Sequence, residues 1–455
     1  MVRIGIPAVF SSLIATLYNL ADAAWIGRLP EGAEAVLAGI QVSWPFIWFI
    51  VSFVAAFAGA AVTALVAQYI GAGRPKQANY AMNQLFTVSV ISGFVLGALG
   101  FFLVEPIVSL LVSDLAIAVQ ASAYLRVIFL GLPTMMLPGV FYSAYSATGN
   151  TLTPLLVNLI GTGLNAVIDP FFILGWGPFP QMGILGAAYA TVIGQGIATI
   201  IFLFLFSRRK QMLHFDRSAL RVKWQWMTKA VRIGFPAAIG SSTVALGFVV
   251  LMGIIGRLDN GAAALAGYGA ADRIFGFLFI ATNGLGLGLT TVIGQAIGAQ
   301  TMDRARLAMK KGVSTLFVIL IVETLLVWLA RRPLLAIFLP NSPDAFQAGS
   351  RFIELFAIGM PFLGAFFSAE AIYRGSGHNK PVMWLGLLRL WGLRLPLSWL
   401  FGVFFAMGSD GVWIGMSLSN VISGIVAVFF LISKGWQRSV IEPENEEPDE
   451  VLPEA

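Results

Sequence analysis

Two aspartates lie within long apolar stretches of the sequence and are its strongest candidates for chemistry. Asp22 ends a row of polar residues spaced 4, 3 and 3 positions apart, and Asp169 ends a row spaced 4, 3 and 4. These spacings place each row on one face of a helix. An ionised acid in apolar surroundings is costly, so each aspartate is a functional candidate by default. The two rows are Ser12, Thr16, Asn19, Asp22 and Asn158, Thr162, Asn165, Asp169.

The groups in these rows suit a proton or a small hard cation such as Na⁺. Pro170 follows Asp169 directly and has no N–H. The carbonyl of Ala166 therefore loses its helical donor, and we expect the helix to kink beside the acid. Carboxylates, an amide, hydroxyls and a free carbonyl are oxygen ligands of the kind that hard cations prefer. Thr191 and Gln195, four residues apart on the next apolar stretch, would add to the lining.

The composition indicates which elements position these acids. Of 455 residues, 58% are hydrophobic and only 11% are charged. Soluble domains spend about a quarter of their residues on charged side chains, so we predict an all-α membrane protein. A membrane span needs about 20 mostly apolar residues, and twelve segments meet that requirement. They are residues 4–27, 36–70, 80–104, 117–146, 153–176, 184–207, 228–256, 263–298, 312–331, 348–373, 381–406 and 411–433.

The basic residues orient these spans. If the N-terminus is cytoplasmic, the inner segments hold 19 of the 28 Lys and Arg residues and the outer segments hold 5. This excess predicts a multi-pass protein of the cell (inner or plasma) membrane with both termini in the cytoplasm. Bases spread over every inner loop argue against a nucleic-acid partner. There is no phosphate-binding GxxxxGK[ST] loop and no cysteine. We therefore expect neither an enzyme nor a cofactor, and transport would depend on an ion gradient.

An internal repeat divides the chain into two halves. RIGIPA at residues 3–8 recurs as RIGFPA at 232–237, and three further matches follow in order at offsets of 225 to 228. We predict two six-helix lobes related by a pseudo-twofold axis along the membrane normal, a design typical of transporters. The predicted parts are an N-terminal lobe at 1–207, a basic linker at 208–227, a C-terminal lobe at 228–433 and an acidic disordered tail at 434–455.

The repeat also bears on the role of the two acids. Polar rows can simply hydrogen-bond membrane helices together, and Asp169 could be such a packing residue. At the repeat offset, however, Asp22 aligns with Val250 or Leu251 and Asp169 with Leu397. An acid needed to build a lobe would be expected in both lobes. The asymmetry therefore favours a functional role in the first half.

With its two halves and two acids, the sequence resembles the multidrug and toxic compound extrusion (MATE) family. The family implies twelve helices in two lobes and export of organic cations in exchange for H⁺ or Na⁺. Within it, the sequence is most similar to the DinF-like and archaeal branch. The resemblance rests on RIGIPA, LYNLADAAWIG, QYIGAGRPKQA, ATGNTLTP, GLNAVIDPFFI and GILGAAYATVIGQ.

This branch implies a cation-coupling cluster, which here comprises Asp22, Asn165, Asp169 and Thr191 and could hold Na⁺. The NorM-like branch has an acid on the seventh span, but residues 228–256 contain none. We therefore do not expect cation coupling of that kind in the second lobe. Tyr142 stands where the branch has an Asn on the fourth span. The supporting residues are Asn19, Tyr142, Asn158, Thr162, Pro170 and Gln195.

The prediction is a monomeric antiporter that exports organic cations in exchange for H⁺ or Na⁺ and contacts membrane lipid. Two alternatives stay open. A flippase for lipid-linked precursors, from the same superfamily, would line its cavity with arginines. A passive pore would carry flux that ignores an ion gradient. The intrahelical arginines are Arg126, Arg273, Arg389 and Arg394, and the charged residues of open role are Asp272, Glu323, Glu354, Glu370 and Arg389.

Overall fold

The computed structural model describes residues 56–111, 115–208, 212–339, 342–433 and 435–441, together with Pro7 and Phe10. The first predicted span, including Asn19 and Asp22, lies outside the described residues except for Pro7 and Phe10, as does most of the predicted acidic tail. Within the described ranges the chain forms helices and no strands. The predicted all-α class is confirmed.

The helices are labelled in chain order. They are α1 (Ala56–Gly71), α2 (Pro75–Leu111), α3 (Leu115–Leu130), α4 (Leu132–Thr148), α5 (Leu152–Ile173), α6 (Ile184–Ser207), α7 (Trp224–Gly256), α8 (Gly261–Gly298), α9 (Met302–Phe338), α10 (Pro343–Phe356), α11 (Met360–Ser376), α12 (Asn379–Phe404) and α13 (Gly408–Ile432). Short 3₁₀ turns follow α6 at Arg217–Leu220 and α13 at Gly435–Gln437.

Most predicted spans correspond to one helix each, but two of them are broken. The predicted span 117–146 consists of α3 and α4, which are bent by 54°. The predicted span 348–373 consists of α10 and α11, bent by 63°. Among the described residues, eight helices are long and apolar enough to cross a membrane, or up to ten if each bent pair is one span.

The two bends show the internal repeat in the backbone. Gly131 caps the start of α4 and Gly359 caps the start of α11, and each is followed by a proline in the first helical turn. Proline suits that position because its missing N–H has no helical partner there. The two helices also end alike, at Gly149 (φ 91°) and Gly377 (φ 78°), in the left-handed region that glycine adopts without strain. The sequence echo is therefore also a structural repeat.

The chain divides into two compact units. One contains the described residues of Phe10–Phe235 and the other those of Pro236–Val440. The division lies inside α7, C-terminal to the predicted linker 208–227. Pro236 cannot donate to the carbonyl of Arg232, so the helical ladder lacks a bond where the two units meet in sequence.

The segment between α6 and α7 is held against α2 by buried side-chain amides. The Asn79 carbonyl oxygen Oδ1 accepts from the N–H of His214 at 2.7 Å. Asn83 Nδ2 donates to the carbonyl of His214 at 2.9 Å, and Asn83 Oδ1 accepts from the N–H of Asp216 at 3.2 Å. A side-chain amide both donates and accepts hydrogen bonds. It can therefore satisfy the backbone N–H and C=O groups of a segment that is not part of a helix.

Gln84 continues this attachment one residue further along α2. Its Nε2 donates to the carbonyls of Ala219 and Arg221, both at 2.6 Å. Its Oε1 accepts from the N–H of Lys223 at 2.9 Å. We call Asn79, Asn83 and Gln84 the linker clamp.

Replacing Gln84 by alanine should release this segment. The change removes three hydrogen bonds to backbone, each contributing about 0.5–1.5 kcal/mol. Limited trypsinolysis at Arg221 and Lys223 should accelerate roughly tenfold, because cleavage follows the population of the opened state. Gln225→Ala, at an exposed position of α7, is the matched control and should leave the rate unchanged. Equal cleavage of both variants and the wild type would contradict the clamp.

Candidate functional site

The candidate site is built on α5 and α6, which are in extensive contact. Gly161 and Gly194 face each other in this contact. A Cβ added to Gly194 would lie 2.8 Å from the carbonyl oxygen of Gly161 and 2.9 Å from Cβ of Asn165. Small residues allow membrane helices to approach this closely. The contact fixes the turn of α5 that carries Asn165 directly against α6.

Asn165 and Asp169 lie on the buried face of α5. They follow Gly161 at intervals of four residues, so the three share one side of the helix. Asn165 is 2% exposed and Asp169 is 0% exposed. The acid and the amide are therefore neighbours on successive turns, away from lipid and facing the interior of the unit.

The Asn165 amide has unused hydrogen-bonding capacity. Neither Oδ1 nor Nδ2 has a hydrogen-bond partner among the described residues. A buried polar group left in this state costs about 1–3 kcal/mol. Beside a fully buried carboxylate, the free amide oxygen is a ligand suited to a cation. Its Nδ2 is correspondingly available to hold the carboxylate.

The other polar residues of the predicted cluster lie less deeply. Asn158, Thr162, Thr191 and Gln195 are half-buried. Thr162 donates to the carbonyl of Asn158 at 2.6 Å, and Thr191 donates to the carbonyl of Ala187 at 2.9 Å. A hydroxyl that donates to its own helix still has lone pairs to offer. The structure thus separates a buried pair from a half-buried set of hydroxyls and amides.

Three remaining predictions have different outcomes. Pro170 is buried in α5, which continues past it to Ile173. Tyr142 is half-buried on α4, and no hydrogen bond joins it to Asn165 in the described part of the chain. Asn19 and Asp22 lie outside the described residues. The proposed pairing of the first and fifth spans therefore stays a prediction.

The end of α5 is closed by the chain that follows it. The N–H of Met182 donates to the carbonyl of Phe172 at 2.9 Å, and that of Gly183 donates to the carbonyl of Ile173 at 3.2 Å. Gly186 on α6 packs directly against the Phe172 carbonyl, where a side chain would clash. Residues 174–183 therefore bring α6 back against α5 within one short loop. This return aligns Asn165 with Gly194.

The structure assigns local partners to several charged residues whose roles the sequence left open. Glu354 pairs with Arg331 and Arg351, both at 3.0 Å. Glu370 pairs with Arg374, one turn away on α11. These two acids therefore serve ion pairs within the second unit.

Two other acids are placed differently. Asp272 accepts a long hydrogen bond, 3.4 Å, from the hydroxyl of Tyr268. Glu323 is half-buried on α9, and its Oε2 has no hydrogen-bond partner in the described ranges.

The contact between Gly161 and Gly194 positions Asn165 against α6, but it was not predicted from the sequence. Two glycines on different helices leave no periodic signal, since each is only a gap in the apolar pattern. The linker clamp was not predicted either. The available signal there was three amides within six residues of an apolar helix, Asn79, Asn83 and Gln84.

A helical membrane protein built as a repeated half, with a buried carboxylate and amide on one helix face, has the architecture of a membrane transporter. The chain belongs to the MATE family. The family model described as MatE matches residues 7–171 and again residues 236–400. Residue 7 thus corresponds to residue 236, the offset of 229 found between RIGIPA and RIGFPA. MATE proteins are multidrug efflux transporters of membranes.

Curated relatives align along almost the whole chain. A probable multidrug resistance protein NorM of Thermotoga maritima is 25% identical over 97% of this chain and 93% of its own length. A FAD transporter of Shewanella oneidensis is 28% identical over 94% of this chain and 93% of its own length. A crystal structure of a MATE protein in complex with MaL6 shares the fold, with a TM-score of 0.87, 21% identity and 95% coverage of both chains.

Proposed function

We propose that this protein is a secondary antiporter that exports organic cations in exchange for H⁺ or Na⁺. The observation that carries the proposal is the buried pair of Asp169 and the Asn165 amide, which has no hydrogen-bond partner among the described residues. An ionised carboxylate buried in a membrane helix is costly, and uptake of a cation or a proton lowers that cost. Membership of a multidrug efflux family supports the same direction of transport.

In this mechanism the coupling ion enters from outside and neutralises Asp169. Asp22, which lies outside the described residues, is proposed to take part from the first span. Asn165 Oδ1 and the Thr191 hydroxyl supply further oxygen ligands for Na⁺, while H⁺ needs only the carboxylate. Neutralisation lowers the cost of packing the site tightly, and this favours the state that releases the organic cation outside. Export follows if the two states differ in their affinity for ion and substrate.

Efflux from proteoliposomes tests the proposal. The purified full chain is reconstituted, the organic cation ethidium is added, and H⁺ and Na⁺ gradients are imposed separately. We expect at least one gradient to drive ethidium against its own concentration gradient. Flux that follows the ethidium gradient and ignores both ion gradients would identify a passive pore and contradict the proposal.

Single cysteines would test the proposed orientation, with both termini in the cytoplasm of a cell-membrane protein. The chain contains no cysteine, so an introduced thiol has no background. In intact cells a membrane-impermeant maleimide should label Asp259→Cys, between α7 and α8, and should leave Ser218→Cys unlabelled until lysis. Both positions are exposed, so their accessibility to reagent in lysed cells is matched. The reverse labelling pattern would overturn the orientation.

A further inference from the structure

A pair of buried guanidinium groups lies in the second unit, on α12. This helix is π-helical over Leu388–Arg394. A π-helix bonds each residue to the fifth along, so Arg389 and Arg394, five residues apart, lie one turn apart. Their side chains are 9% and 3% exposed. Short π-helical stretches inside longer helices are frequent at functional sites.

Arg394 is held in place by α13. Its Nε donates to the hydroxyl of Ser419 at 3.2 Å, and its Nη2 donates to Oδ1 of Asn420 at 2.5 Å. Asp272 and Arg389 are both close enough to act on it electrostatically. Arg394 therefore has a fixed direction, with hydrogen bonds to two neutral groups.

Arg389 has fewer partners. Its guanidinium lies 4.5 Å above the ring of Phe366, and its Nε is buried without a hydrogen-bond partner among the described residues. The acid that acts on it electrostatically is Glu370, which already pairs with Arg374. Within the described residues, Asp272 is the acid that acts on Arg394, and it is also under the influence of Arg273. The result is an excess of buried positive charge.

Three buried donors lie on α13, the helix that Arg394 contacts. Asn420 Nδ2, Ser417 Oγ and Trp413 Nε1 are buried and lack hydrogen-bond partners in the described part of the chain. Residues 413, 417 and 420 are spaced by four and three, so they occupy one face of α13. Nδ2 and Nε1 can only donate, and the Ser417 hydroxyl can also donate. Donors without acceptors beside two guanidiniums form a site for an anion.

Aromatic rings frame the same place. Arg394 lies 5.9 Å from the ring centre of Phe248 and 5.8 Å from that of Phe356. Tyr268, which is close enough to act on Arg394 electrostatically, stacks on Trp413 with ring centres 5.8 Å apart. All these residues belong to the second unit. Their chemistry is opposite to that of the carboxylate and amide of α5.

We propose that Arg389 and Arg394 bind the phosphate or carboxylate group of an aromatic small molecule. The second unit would then recognise an anionic group while the first unit binds the coupling cation. The protein would accept anionic and zwitterionic aromatic substrates besides organic cations. The proposal rests on the transport function above only for this last step, since binding itself is measurable without transport.

Equilibrium dialysis tests the site with the purified full chain in nanodiscs of phosphatidylcholine. The probes are 4-methylumbelliferyl phosphate and the uncharged 4-methylumbelliferyl glucoside, which carry the same ring. We expect the phosphate to bind at least roughly tenfold more tightly, because bonds from charged donors are the strong ones. Arg389→Gln should remove this preference, while Arg126→Gln, in an exposed ion pair with Glu105, should keep it. Equal binding of the two probes, or a preference that survives Arg389→Gln, would overturn the proposal.

Two further arms complete the experiment. Arg394→Gln also loses bonds to α13 and can fail to fold, whereas Arg389 forms no hydrogen bond within the described residues, so its variant is the decisive one. Thermal melting of each variant checks that it is folded. Inorganic phosphate should compete at least roughly tenfold less well than the aromatic phosphate, since it lacks the ring. Equal competition would mean that the site takes a free inorganic anion and would contradict an aromatic ligand.

Loss of ion-driven ethidium efflux with binding intact would instead count against the antiport function alone.

Discussion

Asp169→Asn should abolish ion-driven efflux in proteoliposomes. Asparagine keeps the shape of the side chain but can neither take up a proton nor neutralise Na⁺. Because Asp169 is fully buried, the neutral variant also avoids the cost of a buried charge, so we expect it to insert and to be at least as stable as the wild type. The initial rate of ethidium efflux should fall at least about tenfold, which corresponds to about 1.4 kcal/mol, to the level of empty liposomes.

Asp303→Asn is the matched control for this substitution. The Asp303 side chain is fully exposed at the start of α9, with only a 3.7 Å contact to Arg306 one turn away. Such surface pairs contribute about 0–1 kcal/mol, so we expect normal efflux. Asp22→Asn is a second variant with the same expected loss. Efflux retained in both Asp22→Asn and Asp169→Asn would refute coupling through the first unit.

Gly194→Ala should have an effect of similar size through packing alone. The added methyl group would lie 2.8 Å from the carbonyl oxygen of Gly161 and 2.9 Å from Cβ of Asn165. Neither is the far end of a flexible side chain, so α5 and α6 must separate. Overpacking of this kind costs about 1–3 kcal/mol. Because a displacement of about 1 Å at a positioned group can reduce a rate about 100-fold, efflux should fall with the melting temperature.

Gly196→Ala provides the control on the same helix. A Cβ at Gly196 meets nothing within 4 Å, so the variant should gain helix propensity and lose no contact. We expect unchanged efflux and a melting temperature that is equal or higher. If Gly194→Ala behaves in the same way, the close approach of α5 and α6 does not position Asn165.

Hydrophobic length and the repeat predicted most of the fold. The sixth span, 184–207, coincides with α6, because Gly183 and Arg208 interrupt the apolar run at both ends. The breaks inside two spans were not predicted. A Gly followed by Leu-Pro or Met-Pro bends the chain without interrupting its hydrophobicity, so a length criterion reads both arms as one span. The repeat, which aligns Gly131 with Gly359, was the signal in the sequence at both bends.

The sequence predicted which residue types form the candidate site, but it predicted only in part how deeply each of them is buried. Helical spacing placed Asn165 and Asp169 on one face, and both are buried. The same spacing also grouped Asn158 and Thr162 with them, but these are half-buried. Spacings of 4, 3 and 4 make about 3.67 residues per turn, so the whole row stays on one face and the spacing alone does not separate its two ends. Which end of the row turns inward depends on the partner helix, and that information lies in Gly161 and Gly194.

The arginines of α12 show a further limit of sequence reasoning. Five residues apart on an ordinary α-helix, Arg389 and Arg394 would point in different directions. The π-helical stretch instead aligns both in the interior, with Ser419 and Asn420 as the partners of Arg394. No residue type marks a π-helix, because the extra residue per turn is selected by packing.

The linker clamp also determines the order in which the protein can be completed during synthesis. Its amides on α2 bond to residues 131 to 139 positions later in the chain. Phe215 likewise packs against Phe86, with ring centres 5.0 Å apart. A nascent chain that has emerged only as far as Ser207 contains all of α6 but none of these partners. The first half of the molecule is therefore finished only when the ribosome has already begun the first helix of the second half.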